Sequence, residues 1–420
     1  MFFHARAVRV VAAAWLLVAG AVAADDGSVP GATLDGVRSR LIEANPELQA
    51  MAFEVQAMRA REVPAAALPD PMLEIEWRDI DSNDPTLDPS DVGATRYQFQ
   101  QRFPLWGKRG LARDVARART GVADAEQRAR ALELMALAER AYVRYWHANV
   151  ASTALERIIS LMAEIEKLAT ARYRSGIVPM QDSLKAQVEL TLMEHDRIAF
   201  DTQRRVAGAE LNAVLGRAAN ATLAIPRTTP ELTIPWRLDY LMEQLDEVHP
   251  AVLAARARLE AAARTRELSL RNRYPDVTLS LAPIQRGQHV ENWEVMLGVE
   301  IPLQQGRRRA EESEARLMER AAELKLESVR TELRADAAAR YASWESAEHL
   351  RALVQHTLLT QTEASYRAAR ASYAVDEVDF MTLLDALRAW RAAELSQYDV
   401  SREALESAAG LRALIGSLTP

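Results

Sequence analysis

The chain has 420 residues, no cysteine, few aromatics and a formal net charge of −7. Without cysteine it has no disulfides, no thiolate metal site and no lipid-modified N-terminal cysteine. The acidic balance argues against a nucleic-acid binder, and the abundance of Ala, Leu, Glu and Arg favours long helices with small contact residues.

Residues 1–24 read as a secretory signal peptide: Arg6 and Arg9, a short apolar stretch, then the small-x-small signal Ala21-Val22-Ala23. The first structural repeat spans 25–216. It begins with a helix from about Leu34 to Arg61 and continues with strands over about 72–80 and 95–103. A long helix runs from about Gly107 to Arg172, a tip turn covers 173–182, and a return helix covers Met180 to Leu215. Segment 217–237 links the halves. The second repeat, 238–410, has a helix from Leu238 to Asn272 and strands over about 276–282 and 293–301. Its long helix runs from Arg307 to Ser372, its tip turn covers 373–381 and its return helix covers Asp379 to Ala408; 411–420 is a tail.

The repeats are legible as matched landmarks in one order. "NPELQA" at Asn45 pairs with "HPAVLA" at His249, and "LPDPMLEIEW" at Leu68 with "YPDVTLSLAP" at Tyr274. "RFPLWGKRG" at Arg102 pairs with "EIPLQQGRRR" at Glu300, "RAYVRYWHA" at Arg140 with "ARYASWESA" at Ala339, and the turn at Tyr173 with that at Tyr373. An offset near 200 throughout is the mark of a tandem duplication. At 1.5 Å per residue each long helix approaches roughly 100 Å. Leu155, Ile158, Met162, Ile165 and Ala169 alternate three and four apart, the spacing of helices packed as a coiled pair.

The strands alternate strictly. Leu73, Ile75 and Trp77 oppose Glu74, Glu76 and Arg78; Tyr97, Phe99 and Phe103 oppose Arg96, Gln98 and Arg102. In the second repeat Val277, Leu279 and Leu281 share one face, as do Trp293, Val295, Leu297, Val299 and Ile301. About nine residues with one apolar face suit a tilted outer-membrane strand, with lipid on one side and water on the other. Four strands cannot close a barrel, and an open edge in lipid leaves backbone groups unpaired. The expectation is therefore a homotrimer: mainly α with a small β part, tandem helical hairpins forming a trimeric α-barrel tunnel, and a 12-stranded outer-membrane β-barrel with four strands per chain. The acidic stretch Asp81 to Ala94 and its shorter counterpart Pro283 to Asn292 read as exposed loops.

"NPEL", "LPDPM", "FPLWGKRG" and "YRSGIVPMQDSLKAQVEL" make nearly the whole mature chain resemble the TolC-like outer-membrane efflux family, most of all the branch that accompanies heavy-metal RND exporters. The resemblance implies a passive exit duct in the Gram-negative outer membrane, for heavy-metal cations or, as the alternative, the same type of duct serving drug and organic-compound efflux or type I secretion. Its helical part lies in the periplasm and docks on a periplasmic adaptor and an inner-membrane RND pump. It further implies that the tip turns carry the adaptor-docking patches, here Ser175, Gly176 and Ile177 in the first turn and Val375, Asp376 and Glu377 in the second. The second turn departs from the family pattern by lacking glycine. Aperture-lining positions just inside the tips fall on Asp182, Thr382 and Asp385, where Thr382 replaces a carboxylate; rings of carboxylates favour cations.

Lys108, Arg109, Arg307, Arg308 and Arg309 open the long helices, where cations oppose the helix dipole. Their position beside the strands suggests a basic rim against anionic lipid headgroups. The histidines form no ligand pair, and no nucleophile elbow, phosphate loop or catalytic constellation occurs. The reading is a transport protein, not an enzyme, with no cofactor and no metal site. A periplasmic adaptor would carry one hairpin, and a structural coiled-coil protein would lack the alternating strands.

Overall fold

The structure, a computed structural model, describes residues 29–83 and 85–415. The signal-peptide reading and residues 416–420 of the C-terminal tail lie outside the described residues; 411–415 are the end of the last helix. Helices α1 (Leu34–Ala44), α2 (Pro46–Ala60) and α3 (Glu62–Ala66) lead to strands β1 (Met72–Arg78) and β2 (Ala94–Phe103). Helices α4 (Lys108–Arg174) and α5 (Met180–Val214) form the first hairpin. The second half runs α6 (Leu238–Val248), α7 (Pro250–Arg271), β3 (Asp276–Arg286), β4 (His289–Glu300) and α8 (Gln305–Leu353). A π-helical turn (Val354–Leu358), α9 (Leu359–Ala374) and α10 (Phe380–Ile415) complete it.

Each entry helix expected as one piece is broken at an X-Pro step, which bars the preceding residue from helical backbone. Asn45 stands extended and its Oδ1 accepts from the Glu47 and Leu48 amides at 2.9 and 3.2 Å, restarting the chain as α2. His249 does the same with Nδ1, which accepts from the Ala251 amide at 3.1 Å. Asn45 Nδ2 also donates to the Val214 carbonyl at 3.0 Å, fixing the break to the end of α5.

The second long helix is likewise interrupted. Tyr142 and Tyr341 are 199 residues apart, whereas Tyr173 and Tyr373 are 200 apart. Burial shows the same shift: Ala138 with Ala337 and Ala148 with Ala347 at the smaller offset, Ala169 with Ala369 at the larger. One extra residue has entered between, and the π-helical turn at Val354–Leu358 lies there. A widened turn absorbs an insertion without rotating the helix beyond it, so Tyr366, Ala369 and Tyr373 regain the buried face.

The four strands form one antiparallel sheet in the order β1-β2-β3-β4. The register brings Leu73 opposite Phe99, Phe99 opposite Leu281, and Leu281 opposite Val295. One face is therefore apolar across all four strands. Arg96 bridges Glu76 at 3.6 Å and Glu294 at 3.0 Å on the other face. Pro283 to Asn292 is not a loop: β3 and β4 continue through it, and the turn is only Gly287-Gln288, with Gly287 at φ +57°.

The core lies between helices. Leu34, Val37 and Leu41 of α1 pack on Ala138, Tyr142 and Trp146 of α4 and on Leu211 of α5. Towards the tips, Ile158, Met162 and Ile165 of α4 meet Ala186 and Met193 of α5 and Leu383, Leu384 and Leu387 of α10. The alternating stripe on α4 is thus core. Leu241 and Leu245 of α6 join Leu326 and Leu333 of α8 and Leu411 of α10 in a third cluster.

Candidate functional site

Two ends of the rod concentrate the unusual chemistry. At the tip end, α4 closes with a left-handed Gly176 at φ +73°. The Gly176 amide donates to the Tyr173 carbonyl at 2.9 Å and the Ile177 amide to the Arg172 carbonyl at 3.0 Å, the paired bonds of a Schellman cap. The second turn repeats this geometry without glycine. Asp376 takes φ +68°, its amide donates to Tyr373 at 3.3 Å, and the Glu377 amide donates to Ser372 at 2.9 Å. A left-handed non-glycine residue costs roughly 1–2 kcal/mol. Arg172 offsets part of that cost: Nη2 donates to Asp376 Oδ1 at 2.7 Å, Nη1 donates to the Tyr373 carbonyl at 2.6 Å, and the guanidinium lies 4.6 Å from the Tyr373 ring centroid.

The turns differ in surface. Gly176 has open space where a Cβ would stand, and Ile177 and Val375 are exposed. Ser175 is exposed with its hydroxyl donating to the Ala171 carbonyl at 3.1 Å. Tyr373 is buried against Phe380, whereas Tyr173 is exposed. Burial raises the Tyr373 phenol's pKa. Asp379 caps α10: its Oδ1 accepts from the Thr382 amide at 2.9 Å and from its hydroxyl at 2.6 Å, which lowers the Asp379 pKa.

Of the three positions expected at the aperture, Asp182 is half-buried in the first turn of α5, while Thr382 and Asp385 are exposed on α10. Thr382 spends its hydroxyl on the Asp379 cap. Asp385 has a cation beside it, Arg388 Nη1 at 3.6 Å. Arg388 continues inward, donating from Nε and Nη2 to Glu189 Oε2 at 3.0 and 2.6 Å; Glu189 is 2 % exposed. Arg391 Nη1 reaches Glu189 at 3.6 Å and Asp196 at 3.7 Å. This α5–α10 network was missed in the sequence. Its partners are far apart along the chain and no local motif joins them.

At the other end, the apolar sheet face is open in this single chain. Leu73, Ile75, Trp77, Phe99, Leu279, Leu281, Trp293, Val295, Leu297 and Val299 are exposed; Tyr97 and Phe103 are half-buried. Lys108 departs from the basic-rim expectation. It is buried, and its Nζ donates to Asp276 Oδ1 at 2.6 Å and to the Tyr274 carbonyl at 2.7 Å. It ties the start of α4 to the start of β3, so its charge offsets Asp276 instead of facing lipid. Arg109 donates to the Ala66 carbonyl at 2.9 Å. Arg307 and Arg308 pair with Glu311 at 3.2 and 3.4 Å; Arg307 and Arg309 are exposed and Arg308 half-buried. Two residues before Lys108, Trp106 is exposed at φ +60°, its ring centroid 5.2 Å from that of Tyr274 with the planes tilted by 30°, and its Nε1 donates to the Pro275 carbonyl at 2.8 Å.

Among the described residues no helix is long and apolar enough to cross a membrane. The fold is that of solved outer-membrane channels. The outer-membrane channel OprN is similar at a TM-score of 0.78 and 19 % identity, over 94 % of each chain. CusC is similar at 0.77 and 16 %, over 91 % of this chain and 92 % of its own. The outer-membrane channel MtrE of Neisseria gonorrhoeae, solved in its open state, is similar at 0.74 and 16 %, over 92 % and 89 %. No curated protein is matched. The outer membrane efflux protein model matches residues 37–217 and again 241–417, one match per repeat. With both halves matched, the chain belongs to the outer membrane efflux protein family.

Proposed function

We propose that this chain is the passive exit duct of a tripartite RND-type efflux system. Three copies close a twelve-stranded barrel in the outer membrane, and their hairpins form a tunnel through the periplasm. The observation that carries this reading is the open four-stranded sheet: one face apolar across every strand, with β1 and β4 as its two edges. Neither feature suits a chain alone in water, and closure by further copies removes both.

In this reading the tip turns meet a periplasmic adaptor. Gly176 and Ile177, with Ser175, offer a neutral open patch; Val375, Asp376 and Glu377 offer an acidic one. Asp182 and Asp385 line the aperture with Thr382 between them. Arg109, Arg307 and Arg309 face lipid headgroups at the barrel's periplasmic rim, with Arg308 beside them. The cargo we propose is heavy-metal cations, supported by the resemblance of the tip and strand-end motifs to that branch and by the acidic aperture. The protein conducts and does not transform its cargo.

The test is complementation. In a cell lacking its own duct, co-expression with a metal-exporting pump and adaptor restores growth on toxic copper, silver, cobalt, zinc or cadmium. Rescue only against toxic organic compounds, with a drug-exporting pump, contradicts the metal cargo and leaves the duct. No rescue with either, despite outer-membrane assembly, contradicts the duct.

A further inference from the structure

Arg140 of α4 and Arg340 of α8 converge on one point of α10. A Cβ placed on Gly410 would lie 2.8 Å from Arg140 Nη2 and 3.1 Å from Arg340 Nη1, so a side chain here would push the ends of both guanidiniums aside. Arg340 has partners: Nε donates to both oxygens of Asp336 at 2.8 Å, and Nη1 lies 3.4 Å from the Gly410 carbonyl oxygen. The nearby Arg144 pairs with Glu406 at 3.1 Å and Glu210 at 3.5 Å. Arg140 has no ion pair and no hydrogen bond among the described residues. It is half-buried between two other arginines, and burial, then the Arg340 charge, lowers its pKa.

Beside these groups is a cavity of about 330 Å³, lined by the three arginines together with Ser343 and Ser407 and by two carboxylates, Glu403 and Glu406. Ser343 already donates to the Ala339 carbonyl at 3.0 Å, which leaves Ser407 as the hydroxyl open to a ligand. Two guanidiniums side by side repel unless an anion joins them. Their planar forks match the oxygens of a phosphate-class anion.

We propose that Arg140 and Arg340, with the Ser407 hydroxyl, form a binding site for a tetrahedral oxyanion of the phosphate class, which clasps the long helices of the two repeats across α10. Glu406 and Asp336, already held by Arg144 and Arg340, flank the site, and Glu403 also lines it, so only a ligand that both guanidiniums grip overcomes the carboxylate charge. The inference stands on this cluster alone and is independent of the duct reading.

The test is binding of inorganic phosphate to the purified full chain, by calorimetry at constant ionic strength held with chloride. The expected result is saturable binding at one site per chain, weakened about tenfold or more by Arg140→Gln and by Arg340→Gln. Gly410→Ala, whose methyl displaces Arg140, weakens it as well. Thermal unfolding gives the second readout: phosphate raises the midpoint of the parent above chloride but not that of Arg140→Gln. No saturable binding to the parent overturns the proposal, as does equal binding by Arg140→Gln. A carboxylate from a second copy occupying the arginines appears as the first of these outcomes.

Discussion

Arg172, in the last turn of α4, holds Asp376 of the second tip turn. The guanidinium reaches Asp376 Oδ1 at 2.7 Å and the Tyr373 carbonyl at 2.6 Å across 204 and 201 residues of chain. The two turns are mechanically joined, and the bond falls on the residue whose backbone is left-handed. Arg172→Ala frees the second turn: cleavage after the exposed Glu377 by a glutamate-specific protease rises several-fold, while Arg172→Ala with Asp376→Gly, which needs no tether, stays near the parent rate. Equal cleavage of parent and Arg172→Ala contradicts the tie.

The two aspartates proposed to line the aperture are not equivalent. Asp385 has Arg388 at 3.6 Å, whereas no ion pair to Asp182 is found among the described residues. In planar bilayers Asp182→Ala therefore lowers cation preference more than Asp385→Ala does, and the double variant conducts more than either. Unchanged conductance and selectivity in the double variant removes both residues from the constriction.

Glu189 is a buried carboxylate with two arginines on it, and its loss leaves them only the longer contacts to Asp385 at 3.6 Å and Asp196 at 3.7 Å. Both arginines are partly solvated, which screens the effect, so Glu189→Ala costs roughly 2 kcal/mol. The measurement is the temperature at which the assembled protein dissociates in detergent. A value unchanged from the parent shows that the network is ornamental.

The π-helical turn gives a contrast between two single deletions. Deleting the exposed His356 returns the second long helix to continuous α-helix and keeps Tyr366 and Tyr373 buried. Deleting the exposed Glu156 at the matching level of α4 rotates Ile158, Met162 and Ile165 by about 100° off the core face. Folded yield is expected to survive the first and collapse with the second. Comparable yields contradict the insertion reading.

Asp399 carries a pH dependence. His147 Nε2 lies 2.9 Å from Asp399 Oδ1, and this hydrogen bond lowers the Asp399 pKa. A depressed folded-state pKa means that the contribution is complete above the unfolded carboxyl value of about 3.9 and is lost as pH falls through the lower folded value. The dissociation temperature of Asp399→Asn should trail the parent at pH near 5 and converge with it in stronger acid. A gap that widens on acidification reverses the sign and contradicts the assignment.

The range of each interaction decided whether it was legible in the sequence. Strand faces were legible because alternation is local, and the register keeps Leu73, Phe99, Leu281 and Val295 on one face. The breaks at Asn45-Pro46 and His249-Pro250 were in plain view but merged into single helices. The π-helical turn was present in the sequence only as a change of offset by one residue, from 199 at Tyr142 to 200 at Tyr173, inside a helix. Lys108 was misplaced because its partner Asp276 is 168 residues away, and the Arg388–Glu189 pair spans 199. Left-handed backbone at Trp106 and Asp376 has no local signature, since the usual signal is glycine.

Closure of the sheet by neighbouring copies is the central claim, and the cysteine-free chain makes it directly measurable. Cysteines are placed in pairs, one on β1 at Ile75 and one on β4 at Trp293, Val295 or Leu297, and the outer-membrane fraction is oxidised before denaturing electrophoresis. A trimeric barrel pairs β1 of one copy with β4 of the next, so at least one pair yields a covalent ladder of monomer, dimer and trimer that stops at three. Monomer alone for every pair, or a ladder that runs past three, contradicts it.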